Sequence, residues 1–337
     1  MRLGNLKIGS KSKTFIIAEI GINHEGSYKN CIKLISAAAK SGANAVKIQL
    51  VNRDESYQKG SNSYKIFNKR PFNLTELKKI KKFCRKKKIL FFATPGDISS
   101  LFTLIKIKTP VIKISSGLMN NFPMIDLCIK KRIPIIISTG LATIKDLSNL
   151  KKFFNKKKFK KFSILKCTSE YPAQVNNLDL NGIKNLRLFF KCVVGYSDHY
   201  LGHTASLVAV MNGAKIIEKH FTLNKNLKGA DHFISLEPQE FKTMVLEIRN
   251  LEEVLKYGCV RKMDSNIKVN KSMLRKLVVI KNIKKGDIIN FTNIGFQRLK
   301  KKQISLDPVS FFHIRNKKSR VNFKKGTVIS KIQLGSI

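Results

Sequence analysis

The chain has 337 residues, 43% of them hydrophobic, and 66 lysines and arginines against 21 aspartates and glutamates give a formal net charge of +45. This length and apolar content predict one large domain followed by a small one and exclude a disordered tail. No window approaches the roughly 18 uninterrupted apolar residues that cross a bilayer, and residues 1–13 lack the apolar run of a signal peptide. The six cysteines are scattered without a CxxC pair, which favours reduced thiols and a cytoplasmic protein.

The positive charge by itself would indicate a polyanionic partner such as nucleic acid. However, 54 of the 66 basic residues are lysines, and asparagine and isoleucine are also abundant, as in a lysine-rich chain shaped by an AT-rich coding sequence. The lysine runs at 86–88 and 151–161 lie between apolar positions at helical spacing, which is typical of solvated helix faces. We therefore expect no nucleic-acid partner, although the charge can draw small anionic substrates towards the protein.

Short β-branched segments alternate with amphipathic stretches through the first 258 residues, and this alternation predicts repeated βα units around a parallel sheet. A helix is predicted over 28–42, and the last helix of this region over 238–258. No GxGxxG follows the first strand, so eight units in about 250 residues favour a (β/α)8 TIM barrel over an open doubly wound sheet. The eight predicted strands are 14–22, 44–51, 89–94, 111–115, 133–139, 162–167, 192–197 and 215–221.

The pattern changes after Gly258, which predicts a barrel domain over 1–258, a linker over 259–272 and a small β-rich domain over 273–337. Within the small domain, IKKGDII (283–289) and FKKGTVI (323–329) repeat at an offset of 40, and each predicts a strand, a KKG turn and a second strand. About 65 residues make a marginal independent domain, so we expect it to dock on something, with a second subunit as one candidate.

Polar residues interrupt the strands near their carboxyl ends, where TIM-barrel enzymes place their chemistry. Lys47 and Gln49 are two apart in a strand and therefore point to the same side, here the barrel interior. Buried lysines are costly unless paired, so Lys47 and Lys113 predict a bound anion. The hydroxyl groups that would complete a phosphate and carboxylate cradle belong to Thr94, Ser116, Ser138 and Ser197.

Two histidines, His199 and His220, close the consecutive strands seven and eight and are therefore expected side by side. For a single late-strand histidine, a core residue or a general base would be the better interpretation. For the pair, beside Asp198 and with Glu19 nearby, we favour a divalent metal with open positions for water and substrate.

These segments together resemble the N-acetylneuraminate (sialic acid) synthases and the related nonulosonic acid synthases, over essentially the whole chain. The resemblance implies a (β/α)8 barrel followed by a small antifreeze-like (SAF) domain. It also implies condensation of phosphoenolpyruvate with an open-chain N-acetylated hexose and water, giving a nine-carbon 2-keto acid and phosphate. The matching segments are FIIAEIGINHEGS (15–27), GANAVKIQ (42–49), FFATPGD (91–97), VIKISSG (111–117), PIIISTGLAT (134–143), LKCTSEYP (165–172), VGYSDHYLG (194–202), GAKIIEKHFTLNK (213–225) and GADHFISLEPQEF (229–241).

By position, the resemblance assigns roles to individual residues. Phosphoenolpyruvate would be held by Lys47, Thr94, Lys113, Ser116, Ser138 and Ser197, with Ser169 and Tyr171 close by. His199 and His220 would bind Mn²⁺ or Mg²⁺, and Glu19, Gln49 and Asp231 would orient the sugar. In a domain-swapped homodimer, Arg298 would reach the neighbouring subunit's barrel and contact the N-acyl group. Glu19, His199, His220 and Lys113 would thus be the catalytic set.

The sequence also departs from the family pattern. Leu118 occupies a position that is commonly acidic, Gly96 replaces an aromatic residue, and Leu299-Lys300 after Arg298 replace the usual Pro-Gly. The leading hypothesis is a synthase acting on N-acetylmannosamine for cell-surface polysaccharide biosynthesis, and a relative of the legionaminic or pseudaminic type using a diacetamido-trideoxyhexose is the alternative. A catalytically weak member retained as a binding protein is a third hypothesis. A metal-dependent aldolase using free pyruvate is disfavoured because the cradle would then have no phosphate to bind.

Overall fold

A computed structural model of the chain describes residues 2–3, 6–9, 12–255, 274–300 and 304–335. The chain divides into two compact units, Met1–Gly258 and Cys259–Ile337. The predicted linker at 259–272 lies outside the described residues. Among the described residues, no helix combines the length and apolar character needed to cross a membrane.

The first unit is a closed barrel of eight parallel strands, which confirms the predicted fold class. All eight predicted strands occur, with ends within two residues of the predicted ones. The ring closes where β10 pairs with β3, and this register places His220 opposite Glu19. A short hairpin that the sequence did not predict precedes the barrel, with Arg2–Leu3 (β1) paired to Leu6–Lys7 (β2). The barrel strands are β3 (Phe15–Gly21), β4 (Ala45–Leu50), β5 (Leu90–Pro95), β6 (Ile112–Ile114), β7 (Ile135–Ser138), β8 (Phe162–Cys167), β9 (Val193–Asp198) and β10 (Ile216–His220).

Helices pack around the barrel, and several of them begin at side-chain caps. Asn73 and Glu76 form a reciprocal capping box at the start of α4, and Thr143 and Asp146 form another at α7. Such caps satisfy backbone N–H groups that the first helical turn leaves unpaired. The helices of the first unit are α1 (Tyr28–Lys40), α2 (Arg53–Ser56), α3 (Asn62–Ile66), α4 (Leu74–Lys86), α5 (Ile98–Lys106), α6 (Phe122–Lys130), α7 (Ile144–Lys156), α8 (Gly182–Phe190), α9 (Thr204–Met211) and α10 (Pro238–Val254).

Several helices end in a left-handed residue that is not the usual glycine. Lys88, Lys108, Arg132 and Lys158 follow α4, α5, α6 and α7 with φ between 50° and 56°. A side chain in this conformation costs roughly 1–2 kcal/mol. Basic residues are therefore present even where the backbone conformation favours glycine. This supports the interpretation that much of the positive charge reflects the lysine-rich composition of the chain.

The second unit packs around a small apolar core that includes Leu277, Ile294 and Phe311. Its strands β11 (Lys276–Val279) and β12 (Ile294–Gln297) are antiparallel, and two short helices follow, α11 (Phe311–Ile314) and α12 (Lys331–Leu334). This small β-rich unit after the barrel agrees with the antifreeze-like domain that the resemblance implies.

The two KKG repeats of the second unit differ from the prediction. The turns are present, with Gly286 and Gly326 at φ of 96° and 91°, but the flanking segments form isolated bridges such as Ile283 to Phe323, so the prediction of full strands was wrong. The reason is that asparagine amides replace part of the strand ladder. The N–H of Lys285 donates to Oδ1 of Asn322, and the N–H of Lys325 donates to Oδ1 of Asn282, each at 2.7 Å.

Candidate functional site

The barrel interior is layered, with apolar side chains at the amino ends of the strands and polar ones two residues later. The apolar layer includes Ile17, Ala45, Phe92, Val111, Ile136, Leu165 and Ile216, with Ile8 packed against it. Because side chains alternate along a strand, the residue two positions on from each of these also points inward. The inward residues of the next layer are Glu19, Lys47, Thr94, Lys113, Ser138, Cys167 and Glu218, and all of them line one cavity of about 320 Å³.

Two buried lysines form the centre of this cavity. Lys47 Nζ donates to Thr94 Oγ1 at 3.0 Å and is paired with Glu19, and Lys113 Nζ donates to Ser138 Oγ at 2.6 Å. Burial lowers the pKa of Lys113, whereas for Lys47 the charges of Glu19 and Glu218 outweigh burial and raise the pKa. The two ammonium groups and the surrounding hydroxyls therefore form a cluster of donors that fits an anion, and we call this cluster the candidate anion-binding centre. The binding of an anion there stays a prediction.

Glu218 is the main residue that the sequence analysis missed. Its Oε1 lies 3.6 Å from Lys47 Nζ and 3.7 Å from Lys113 Nζ, and it accepts a hydrogen bond of 3.1 Å from Ser197 Oγ. Burial opposes ionisation, but the two lysines hold the pKa of Glu218 below its usual value. The inward position of Glu218 could have been predicted from the sequence. Glu218 lies two residues before His220 in the same strand, so the two side chains point to the same side, just as those of Lys47 and Gln49 do.

A second cluster of polar side chains surrounds Gly21, the last residue of β3, which has a φ of 43°. A Cβ at this position would lie 2.9 Å from Glu19 Oε1, 2.9 Å from Asp231 Oδ2 and 3.5 Å from Gln49 Nε2. The three polar side chains therefore converge on space that only glycine leaves open. Burial raises the pKa of Glu19 to about 7 and that of Asp231 to about 6, so both carboxyl groups titrate near neutrality.

The two predicted metal ligands lie side by side, with the ring centres of His199 and His220 5.4 Å apart. His199 Nδ1 lies 2.8 Å from the carbonyl oxygen of Thr168, so this nitrogen carries the proton and Nε2 keeps its lone pair. Burial and the nearby His199 lower the pKa of His220 well below its usual value, and its buried Nδ1 has no hydrogen-bond partner and lies 3.5 Å from Asp231 Oδ2. Two imidazoles with available lone pairs fit a divalent cation that takes its other ligands from water and substrate. Among the described residues, no group of three or more histidine, cysteine, aspartate and glutamate side chains forms a complete metal cage.

Asp198 does not support the histidine pair, contrary to the sequence interpretation. It is fully buried, its Oδ2 accepts a 2.6 Å hydrogen bond from Ser206, and its Oδ1 lies 3.3 Å from Lys219 Nζ. Because Ser197 and His199 point into the cavity, strand alternation turns Asp198 to the opposite side. Its role in the fold is to neutralise a buried lysine.

The other predicted residues of the barrel also reach the cavity. Ser116, Ser169 and Tyr171 line it, and the Tyr171 ring stacks on His199 with ring centres 4.1 Å apart. Leu118 lies in a 3₁₀ turn and packs against the core. Arg298 belongs to the second unit, where it is exposed directly after β12, so its predicted contact with a sugar stays a prediction.

The family model described as the NeuB family matches residues 34–259, about two thirds of the chain. The chain belongs to the NeuB family. This NeuB family member is 36% identical to N,N'-diacetyllegionaminic acid synthase of Campylobacter jejuni, over 85% of this chain and 90% of the relative. It is 34% identical to N-acetylneuraminate-9-phosphate synthase of Drosophila melanogaster, over 71% and 68% of the two chains.

A solved structure shows the same architecture. The sialic acid synthetase of Leptospira borgpetersenii, in complex with citrate, superposes on this NeuB family member with a TM-score of 0.75 at 35% identity. The match covers 79% of this chain and 93% of that one. The chain is therefore a member of the nonulosonic acid synthase family, whose named relatives include synthases of sialic and legionaminic acids.

Proposed function

We propose that the protein condenses phosphoenolpyruvate with an open-chain N-acetylated hexose and water, and releases inorganic phosphate and a nine-carbon 2-keto acid. The observation that carries the proposal is the buried pair Lys47 and Lys113 with its hydroxyl ring, directly beside the carboxyl groups of Glu19 and Asp231. N-Acetylmannosamine is the first candidate acceptor. A diacetamido-trideoxyhexose is the second, and the C. jejuni relative favours it.

The lysine pair would bind phosphoenolpyruvate and stabilise the departing phosphate. Lys113 and Ser138 are 2.6 Å apart and Lys47 and Thr94 are 3.0 Å apart, so the donors are positioned before the ligand arrives. Preorganised donors in a buried site stabilise developing negative charge more effectively than water does. The two lysines are already partly balanced by Glu19 and Glu218, which keeps the site folded without its ligand.

Glu19 is the best-placed group for proton transfer, because a pKa of about 7 allows it to give and take a proton at neutral pH. In the proposed reaction the enol carbon bonds to the aldehyde carbon while the aldehyde oxygen takes the proton of Glu19. Water then adds to the cationic carbon, and its proton returns to the Glu19 carboxylate. Collapse of this adduct breaks the C–O bond to phosphate, the departing phosphate takes the proton of the adduct's hydroxyl group, and the ketone remains. Asp231 and Gln49 would hold the sugar hydroxyls or amide.

His199 and His220 would hold the divalent cation, Mn²⁺ or Mg²⁺, which when bound would polarise the sugar aldehyde. Tyr171 stacks on His199 and would fix the orientation of that imidazole. We also propose that the active form is a domain-swapped homodimer in which Arg298 of one protomer contacts the N-acyl group bound by the other.

The test is phosphate release from phosphoenolpyruvate, measured with and without each sugar and with Mn²⁺ or a chelator. We expect release only when sugar and metal are both present. His199→Ala and His220→Ala should each abolish it, and His203→Ala is the matched control because His203 pairs with Glu247 outside the cavity. Full activity of either cavity variant without added metal would contradict the metal assignment. Absence of release with every acceptor would contradict the synthase function and favour a binding role.

A further inference from the structure

Lys219 lies beside the candidate metal site but on the other side of the barrel wall. It directly precedes His220 in β10, so strand alternation turns its side chain away from the cavity and into the layer between the barrel and the helices. The side chain is completely buried. Outward-facing neighbours on β9 and β10, Val194 and Ile217, belong to the hydrophobic core. A lysine in this layer is costly, so its presence needs a physical reason.

The ammonium group of Lys219 contacts both residues that flank His199. Its Nζ lies 3.3 Å from Oδ1 of Asp198, the residue before His199, and donates a hydrogen bond to the carbonyl oxygen of Tyr200, the residue after it. The N–H of Tyr200 in turn donates to the same Oδ1 of Asp198 at 2.8 Å. These contacts form a closed ring of interactions behind His199, and Lys219 joins this ring to β10.

The contacts of Lys219 connect β9 and β10 at the point where the two candidate metal ligands begin. The strands are parallel, with Lys219 opposite Asp198 in the register. The next residue of each strand is a histidine, and the ring centres of His199 and His220 lie 5.4 Å apart. The Lys219 side chain therefore ties together the two strand ends that carry the histidines.

Beyond this point the backbones of the two histidines are bonded to different segments. The carbonyl of His199 accepts a 3.0 Å hydrogen bond from the N–H of Ala173, in the loop after β8. The carbonyl of His220 accepts a 2.9 Å hydrogen bond from the N–H of Leu236, in the segment before α10. A side-chain link between the strand ends thus acts where the histidine backbones depend on separate loops.

Stability is a weak explanation for the buried pair of Lys219 and Asp198. Replacement of a buried ion pair by apolar residues of similar size is often neutral or stabilising. The pair is fully engaged, since Oδ2 of Asp198 also accepts a 2.6 Å hydrogen bond from Ser206 on α9. A buried polar network whose members are all satisfied makes the local structure rigid and fixes one arrangement. A metal site depends on such rigidity, because its ligands must keep their separation and orientation.

We infer that Lys219 is a positioning residue for the divalent cation, and that its contacts with Asp198 and Tyr200 set the separation and orientation of His199 and His220. The inference rests on the metal assignment in the proposed function and extends it to a residue outside the cavity. Loss of an outer partner of metal ligands typically lowers metal affinity about 10–100-fold. Removal of the Lys219 contacts should therefore weaken metal binding by at least about tenfold.

Lys219→Met distinguishes position from charge, because the two effects have opposite signs. Loss of the positive charge leaves the Asp198 carboxylate without its counter-ion, which by itself would attract a cation and lower the Kd for Mn²⁺. Loss of the contacts with Asp198 and Tyr200 should raise that Kd by at least about tenfold. Mn²⁺ alone is the probe, and electron paramagnetic resonance measures the free ion without any substrate. An unchanged or lower Kd would overturn the inference.

Asp198→Asn/Lys219→Met is the second variant, for the case that an unpaired carboxylate prevents folding. It leaves no unpaired charge, and the asparagine keeps an acceptor for Tyr200, so the Kd for Mn²⁺ should rise as in the single variant. Arg249→Met is the matched control. Arg249 also pairs with a carboxylate, at 2.9 Å from Glu252, and donates to a backbone carbonyl, that of Thr14 at 3.0 Å, but at the amino end of the barrel. An equal rise in the control would overturn the inference.

Binding of phosphoenolpyruvate in the presence of a chelator is the second readout. Lys47 and Lys113 lie on β4 and β6, so the Kd for phosphoenolpyruvate should stay close to that of the wild type in the double variant. Equal losses of affinity for Mn²⁺ and phosphoenolpyruvate would indicate a general loosening of the barrel and overturn the positioning role. A wild-type protein that binds no Mn²⁺, or that binds it equally well after His199→Ala, would instead contradict the metal assignment of the proposed function.

Discussion

Glu218→Gln tests the candidate anion-binding centre because it removes one charge and keeps the shape of the side chain. Glu218 lies 3.6 Å and 3.7 Å from two buried ammonium groups. At an effective dielectric constant of about 20, each pair contributes about 4–5 kcal/mol of Coulomb attraction before desolvation is counted. Removal of one partner from a buried ion pair typically costs about 3–5 kcal/mol, and Glu19 still balances part of the remaining charge. We therefore expect a loss of about 3 kcal/mol, or a decrease in Tm of roughly 6–12 °C.

The same substitution should strengthen anion binding, since the site gains one net positive charge. Phosphate or phosphoenolpyruvate should raise the Tm of Glu218→Gln more than that of the wild type and restore much of the lost stability. Thermal unfolding with and without phosphate measures both effects. Glu247→Gln is the control, because this carboxylate forms only a surface pair with His203 and its loss should change the free energy of unfolding by less than about 1 kcal/mol. If Glu218→Gln keeps the wild-type Tm and the wild-type response to phosphate, the assignment of Glu218 as the balancing charge is wrong.

Three further predictions address other parts of the molecule. Burial raises the pKa of Glu19 to about 7 from 4.5, so its neutral form stabilises the fold fully below pH 4.5 and this contribution is lost as the pH rises through 7. Glu19→Gln should flatten the fall in Tm between pH 5 and 7.5, and an unchanged slope would contradict the pKa. Lys88→Gly should raise the free energy of unfolding by up to about 1 kcal/mol because Lys88 has φ of 56°, whereas Lys87→Gly, at φ of −83°, should lower it; urea unfolding distinguishes the two outcomes. Arg298→Ala should raise the KM for the sugar several-fold and leave that for phosphoenolpyruvate unchanged, and equal changes in both would exclude selective sugar contact.

The fold could be predicted from the sequence because the βα alternation is local and regular. Each barrel strand is a short apolar run next to a helix, and several of these helices carry their own caps, as Asn73 and Glu76 show for α4. The meeting of Lys47 and Lys113 in one polar cavity was also predictable, because a lysine inside an apolar strand such as VIKIS needs a compensating partner.

The remaining features of the fold and of the candidate site could not be predicted from the sequence, because they depend on which side of a strand a residue faces and on contacts between distant segments. Asp198 and Glu218 illustrate the first case, since Asp198 lies between the predicted site residues Ser197 and His199 but points away from the cavity, whereas Glu218 lies two residues before His220 and points inward. Gly96 and Val51 illustrate the second case, because a Cβ at position 96 would lie 2.8 Å from a methyl carbon of Val51, and the two residues meet only when β4 and β5 pair. The KKG repeats were predicted as strands because their apolar pattern is that of strands. The asparagine hydrogen bonds that replace part of the ladder join residues 37 and 43 positions apart, so the local pattern does not reveal them.

The closure of the barrel also has a consequence for folding. Glu19 lies on the first barrel strand and His220 on the last, and they face each other across the closing pair, where the N–H of Phe221 donates to the carbonyl of Glu19 at 2.8 Å. Contacts between such distant segments form late, because they carry the largest loop-closure cost. An intermediate with seven docked strands would contain Lys47 and Lys113 but lack Glu218, which arrives with the eighth strand. Because Glu218 competes with an anion for the two lysines, phosphate binding should weaken when the eighth strand docks, and this weakening during refolding would report the moment at which the ring closes.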